Sequence, residues 1–299
     1  MLLVGQSLLL FRGRLARALA ARDAAPLLAA ARAQVEAGAE ALDLNAGRHG
    51  RAGDLAWVAA ALRPAQPGLP LWLDAATPEA LAGALRECAT ARLPSILVAN
   101  ALAVGAGPLD VPALALLEAC ARTGAGLVVS PRDVDARDMP ATAHALAEAA
   151  RAASRAARSA GVAGPVYLDA LAWPPASDPA RCARSLATLR LLRDAAEGVL
   201  LVAVGNVGHG LAPDAAREVR RLYAASAVAA GAGALILPVE DTATVRAVRL
   251  ATGEAFPADP AESYLATVGA AVASGEQPHP PPAIAGPALR AAWRLLFEG

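Results

Sequence analysis

Six acidic or amide side chains occupy one kind of place in this chain, at the end of a short apolar run. They are Asp43 and Asn45 in Ala41-Leu42-Asp43-Leu44-Asn45, Asp74 after Leu71-Trp72-Leu73, Asn100 after Ile96-Leu97-Val98-Ala99, Asp169 after Val166-Tyr167-Leu168, and Asn206 after Leu200-Leu201-Val202-Ala203-Val204-Gly205. Three carboxylates and three carboxamides, in a chain without lysine and without a histidine or cysteine cluster, suit a flat heterocycle rich in N–H donors. A carboxylate accepts paired hydrogen bonds from an amino-pyrimidinone edge, and a carboxamide both donates and accepts. A pterin meets that description. The same acidic set could hold Mg2+, a hard cation that takes oxygen ligands, but the carboxylates lie on separate runs and this is the weaker reading. Taken singly, each Asp or Asn is equally well explained as the cap of a following helix. Only their shared position argues for a common site.

That position depends on the elements around it. Together with Leu2-Leu3-Val4-Gly5-Gln6, Leu127-Val128-Val129-Ser130 and Ala234-Leu235-Ile236-Leu237-Pro238, the apolar runs number eight. Helical patterns fill the intervals, over residues 23–37, 54–62, 78–88, 111–123, 141–160, 179–195, 214–230 and 242–251. Asp23 is a candidate cap for the first. Near-continuous apolar strands alternating with helices imply a parallel sheet covered by helices. Eight such units predict an α/β fold of the (β/α)8 TIM-barrel type, whose strand C-termini would gather the six residues at one mouth. Gly38, Gly124, Gly161 and Gly231 recur at helix exits, where a left-handed residue ends the helix before the next strand. The pattern predicts a barrel over residues 1–252 and a short helical, Pro-rich C-terminal extension over 253–299. In the extension, residues 262–273 and 288–297 read as helices around the stiff spacer Pro278-His279-Pro280-Pro281-Pro282. The terminal helix is expected to pack back on the barrel, with a partner-docking role as the alternative.

Composition narrows the classes. The 299 residues allow one barrel, which takes about 250, and a tail. The 27 basic residues, all arginine, balance 27 acidic ones, so the chain lacks the basic excess that a nucleic-acid surface needs. Cys88, Cys120 and Cys182 are far apart and form no disulfide framework or cysteine metal site; buried apolar roles are expected. With no signal-like segment and no apolar run long enough to span a bilayer, a cytoplasmic protein with no membrane association is expected. The missing lysine excludes any mechanism that needs one.

Over residues 1–252 the sequence resembles the pterin-binding barrels, most closely the methyltetrahydrofolate:corrinoid/iron-sulfur protein methyltransferases. The resemblance lies in Arg14-Leu15-Ala16-Arg17 to Asp23, in Gly38-Ala39-Glu40-Ala41-Leu42-Asp43-Leu44-Asn45-Ala46-Gly47, in Leu71-Trp72-Leu73-Asp74 with Thr77, in Tyr167-Leu168-Asp169 and in Val204-Gly205-Asn206-Val207. It implies transfer of the methyl group of 5-methyltetrahydrofolate to cobalt(I) of a corrinoid on a separate protein, such as a corrinoid/iron-sulfur protein, with no metal in this chain. It further implies that Asp74 and Asp169 hold the pterin edge and that Asn206 stands beside nitrogen 5, stabilising it as the methyl group leaves. Asp43, Asn45 and Asn100 complete the expected pterin site. A homodimer is expected, as in related methyltransferases.

Departures from the pattern set the alternatives. Gln6-Ser7-Leu8-Leu9 follows Gly5 where the family continues Gly-Glu-Arg-x-Asn, Leu97 follows Ser95-Ile96 where it supplies an Asn, and Gly205 replaces the Ser before the seventh-strand Asn. A non-catalytic folate-binding subunit of a corrinoid complex is therefore one alternative. Dihydropteroate synthase is the other, resembling the chain less because that enzyme relies on a strand-seven lysine and a strand-eight Ser-x-Arg, where this chain has Leu237-Pro238-Val239-Glu240-Asp241. His49 and His209 fall in predicted mouth loops, as solvated residues or as proton donors.

Overall fold

In the computed structural model the eight apolar runs are strands that close on one another in sequence order, every neighbour parallel. The structure describes residues 1–93, 96–105, 108–132, 142–193 and 198–298. The strands are β1 (Leu2–Leu9), β2 (Ala41–Asn45), β3 (Leu71–Asp74), β4 (Leu97–Val104), β5 (Gly126–Pro131), β6 (Val166–Asp169), β7 (Val199–Ala203) and β8 (Ala234–Leu237). Around them run α1 (Gly13–Ala21), α2 (Ala25–Glu36), α3 (Ala52–Leu62), α4 (Pro78–Thr90), α5 (Val111–Thr123), α6 (Ala143–Ser159), α7 (Pro179–Arg193), α8 (Pro213–Ala230) and α9 (Thr242–Ala251). The expected (β/α)8 barrel is the observed fold. Ala141 and Ala195, expected as helix ends, lie outside the described residues.

Alternation along each strand separates two apolar layers. In β2, Ala41 joins the barrel interior with Val4, Trp72, Val98, Val128 and Tyr167, whereas Leu42 and Leu44 belong to the layer shared with the helices. Trp72 and Tyr167 meet inside the barrel with ring centroids 4.5 Å apart and planes tilted by 50°. This pair fills the interior in the row next below Asp74 and Asp169. The four helix-exit glycines all adopt positive φ, from 71° at Gly124 to 113° at Gly231, which leaves the chain free to turn into the next strand.

Two strands run further than the apolar pattern suggested. β1 continues through Gln6 and Ser7 to Leu9 with a register shift between Gly5 and Leu8, and β4 continues past Asn100 with a shift between Ala99 and Leu102. At the first shift the Ser7 N–H donates to Oε1 of the fully buried Gln34, 2.9 Å away. A side chain on Gly5 would collide with that same oxygen.

Capping is done by residues other than the six candidates. Thr77, Asp110, Thr142 and Asp241 accept from backbone N–H groups at the starts of α4, α5, α6 and α9, and Asp178 accepts from the Ala180 N–H at the start of α7. Asp23 accepts from the Ala25 N–H at the start of α2. The cap explanation therefore does not apply to Asp74, Asn100 or Asp169, whose following helices have their own caps.

After α9, helices α10 (Pro260–Ser274) and α11 (Pro287–Phe297) lie against α8. The proline segment is pinned between them: Tyr264 donates its hydroxyl to the His279 carbonyl at 2.6 Å, and Trp293 Nε1–H donates to the Pro278 carbonyl at 3.1 Å. An Arg246–Glu262 ion pair joins α9 to α10. Among the described residues no helix is long and apolar enough to cross a membrane.

Candidate functional site

The strand register places Asn45, Asp74 and Asn100 side by side, the first two at the C-terminal ends of β2 and β3 and Asn100 within β4, just before its register shift. Asp43 lies one inward-facing row deeper, level with Trp72 and Val98. Asn100 reaches down to it, donating Nδ2–H to Asp43 Oδ1 at 2.9 Å, and Asn45 donates to Asp74. The Asn45 side chain also accepts from the Gly47 N–H at 2.9 Å, which fixes the turn leaving β2. These four residues form two hydrogen-bonded pairs, and the charge of Asp43 acts on Asp74.

Their electrostatics follow from burial. Asp43 is 3% exposed, and desolvation pushes its carboxyl up to about 7 against the opposing hydrogen bond from Asn100. Asp74 is held well above the usual carboxylate range, first by burial and then by the charge of Asp43, with the Asn45 hydrogen bond opposing. Two carboxyls this close and this dry share the cost of ionising. Burial thus disfavours the charged form of both carboxyls, and the charge of Asp43 adds to that effect at Asp74.

Asp169 stands apart from this group on the other side of the mouth. Its Oδ1 accepts from the Leu171 N–H at 2.9 Å and its Oδ2 from the Ser130 hydroxyl at 3.3 Å. Burial raises its pKa, while these two hydrogen bonds and the positive charge of Arg132 oppose the rise. Leu171 adopts φ 58°, an uncommon conformation for a branched residue, and its N–H is the one that meets Asp169. Asn206 is not on a strand as expected. It lies in the 3-10 turn Val204–Gly208 that follows β7, exposed to the mouth, with Nδ2 donating to the Ala172 carbonyl at 3.3 Å. A cavity of about 330 Å³ joins Asp169 and Asn206, with Arg132, Trp173 and His209 on its walls.

Sequence reasoning missed Ser130, Arg132 and Trp173. Ser130 is visible as the polar end of the fifth apolar run, but it is neither Asp nor Asn; Arg132 and Trp173 sit just beyond strands and carry no spacing signal. His209 lines the cavity, whereas His49 lies in an exposed turn after β2. Ser95, of the Ser95-Ile96 pair before Leu97, lies outside the described residues. Among the described residues, no three His, Cys, Asp or Glu side chains come together as a set able to hold a metal ion. All three cysteines are buried and unpaired with one another.

No protein-family model matches the sequence, and no curated protein matches it. Solved structures do match. The dihydropteroate synthase of Thermus thermophilus is 22% identical with a TM-score of 0.56, over 84% of this chain and 92% of that one. The dihydropteroate synthase of Xanthomonas albilineans, solved with 4-aminobenzoic acid, is 19% identical with a TM-score of 0.61, over 85% and 93%. That of Yersinia pestis, solved with a pterine-sulfa conjugate, is also 19% identical at 0.61, over 85% and 94%. These likenesses give the chain the dihydropteroate synthase-like (β/α)8 fold.

Proposed function

We propose that the barrel mouth binds a pterin and that the chain transfers the methyl group of 5-methyltetrahydrofolate to cobalt(I) of a corrinoid protein. The observation that carries the first half is the placement of Asp74 and Asp169, two mostly buried carboxyls at strand C-termini, neither spent on a helix cap. Each presents oxygen acceptors to an amino-pyrimidinone edge, and the buried setting makes an unmet donor costly.

The second half rests on the resemblance and on Asn206. In methyl transfer the bond from nitrogen 5 to the methyl carbon breaks, its electron pair stays on nitrogen and is met by a proton, and cobalt(I) supplies the pair for the new bond. An amide dipole held beside that nitrogen stabilises the transition state more than the substrate. The Ala172 carbonyl already orients the Asn206 amide in the cavity wall.

Dihydropteroate synthesis is the second reading, favoured by the solved structures that the chain resembles. Against it, the chain contains no lysine, and β8 runs into Pro238, Glu240 and Asp241, with Glu240 bonded to Ser7 and Asp241 bound to Arg220 and to the α9 N-terminus. A non-catalytic folate-binding subunit is the third, favoured by Gln6 and Gly205 at positions where the methyltransferases carry Glu and Ser. Calorimetry with 5-methyltetrahydrofolate tests binding. Spectral conversion of cobalt(I) to methylcobalt, run beside an assay for diphosphate release from a pterin diphosphate and 4-aminobenzoate, separates the three readings. Methyl transfer without diphosphate release is expected; binding with neither activity would assign the subunit role.

A further inference from the structure

Three consecutive residues after β6 tie together the two groups of the cavity. The Leu171 N–H donates to Asp169 Oδ1 at 2.9 Å, the Ala172 carbonyl accepts from Asn206 Nδ2 at 3.3 Å, and the Trp173 carbonyl accepts from the Cys182 thiol at 3.1 Å. The segment thus holds the carboxyl that ends β6 and the amide that follows β7, and is itself held by α7. A left-handed backbone turns it between them: Leu171 adopts φ 58°, which a branched residue keeps only where its surroundings impose it. Those surroundings form a small apolar cluster separate from the main core, in which Leu171 and Leu146 of α6 are buried together with Trp173 packed against them. Trp173 lies in turn on the Arg181 guanidinium, 4.4 Å from the ring centroid, and Arg181 is held by Asp178 at 3.1 Å. Cys182 is fully buried, and burial pushes its thiol up to about 12, so near neutral pH it keeps the proton that it donates to the Trp173 carbonyl.

We propose that segment 171–173 is a rigid strap that sets the placement of Asn206 relative to Asp169, and that Cys182 is the positioning residue that fixes the strap. Cys182 touches neither the cavity nor its ligand; it acts through the Trp173 carbonyl on the Ala172 carbonyl next to it, and so on the Asn206 amide. A dipole aimed in advance costs no reorganisation when charge develops in front of it. The effect of Cys182 on turnover rests on the role proposed for Asn206, whereas the strap itself is a property of the free protein.

The test compares Cys182→Ala, which removes the donor, with Cys182→Ser, which keeps one, each alone and combined with Asn206→Ala, after melting curves confirm folding. The first readout needs no substrate: it is the side-chain amide resonance of Asn206 in the 15N–1H spectrum of the free protein, assigned by its absence in Asn206→Ala. That resonance should shift in Cys182→Ala and return most of the way in Cys182→Ser. The second readout is single-turnover methylation of cob(I)alamin from 5-methyltetrahydrofolate. Cys182→Ala should slow it by about threefold to tenfold, the equivalent of one modest hydrogen bond, and Cys182→Ser should recover most of the rate. Beside Asn206→Ala, the further change Cys182→Ala should alter the rate by less than about twofold, because residues that act as a unit are not additive. An Asn206 resonance that stays in place in Cys182→Ala, or a rate loss that persists in full beside Asn206→Ala, would overturn the proposal. If wild type transfers no methyl group while the resonance shifts and returns as expected, the methyl-transfer reading falls and the strap stands. If neither is seen, both fall.

Discussion

Gln6 and Gly205 occupy one shared space: a Cβ added at Gly205 would lie 2.5 Å from Cδ of Gln6 and closer still to its carboxamide oxygen and nitrogen. These are two of the positions at which the chain departs from the methyltransferase pattern, where Glu and Ser are replaced. The departures are physically coupled, since any side chain at 205 must displace the one at 6. Gly205→Ser alone is expected to cost about 1–3 kcal/mol by overpacking. Gln6→Ala should remove most of that cost, giving a coupling energy of about 1 kcal/mol or more in a double-mutant cycle measured by denaturant unfolding. Additive effects would show that the two side chains do not compete.

The Asp43 carboxyl makes stability depend on pH. Its pKa rises from 3.8 to about 7 on folding because it is buried. Between those values the folded chain keeps a proton that the unfolded chain has released, so this group's contribution is most favourable below the unfolded pKa and is lost as pH rises through the folded one. Asp43→Asn keeps an acceptor for Asn100 and removes the charge. The variant is expected to melt a few degrees (~2–6 °C) above wild type at pH 8 and to keep less than about half of that gain at pH 5. Differential scanning calorimetry at the two pH values checks this; a uniform shift would contradict it.

The barrel was legible because its apolar runs end in polar residues and its helices exit through Gly38, Gly124, Gly161 and Gly231. The site was legible as a set but not in depth. In sequence, Asp43 and Asn45 look equivalent, yet the pleat and register put Asp43 a full inward row below, where it is 3% exposed and tied to Asn100 from two strands away. Gln6 and Asn100 looked like strand ends because they are polar; register shifts let β1 and β4 continue past them. Asn206 looked like a strand end because Val204-Gly205 prolongs an apolar run, and the 3-10 turn there depends on tertiary packing that the run does not encode.

Pterin recognition predicts a graded loss. Asp74→Ala and Asp169→Ala should each weaken binding of 5-methyltetrahydrofolate by about 1–3 kcal/mol, because each leaves ligand donors unpaired in a partly dry mouth. Ser130→Ala, which removes only a supporting hydrogen bond at 3.3 Å, should cost under about 1 kcal/mol. Unchanged affinity in both aspartate variants, with folding intact, would remove the pterin assignment.

We expect the chain to form a homodimer. Light scattering at micromolar concentration should give twice the 30.0 kDa chain mass, and a monomer mass would count against it.

The most direct measurement is single-turnover methylation of cob(I)alamin from 5-methyltetrahydrofolate by wild type and by Asn206→Ala, with folate affinity determined in parallel. An interaction made mainly in the transition state appears in the rate rather than in binding. Wild type is predicted to transfer the methyl group, and the variant to be slower by about a hundredfold, the usual cost of one preorganised donor, with affinity changed by less than about threefold. Folate binding without methyl transfer by wild type, or equal rates for the two proteins, would contradict the account.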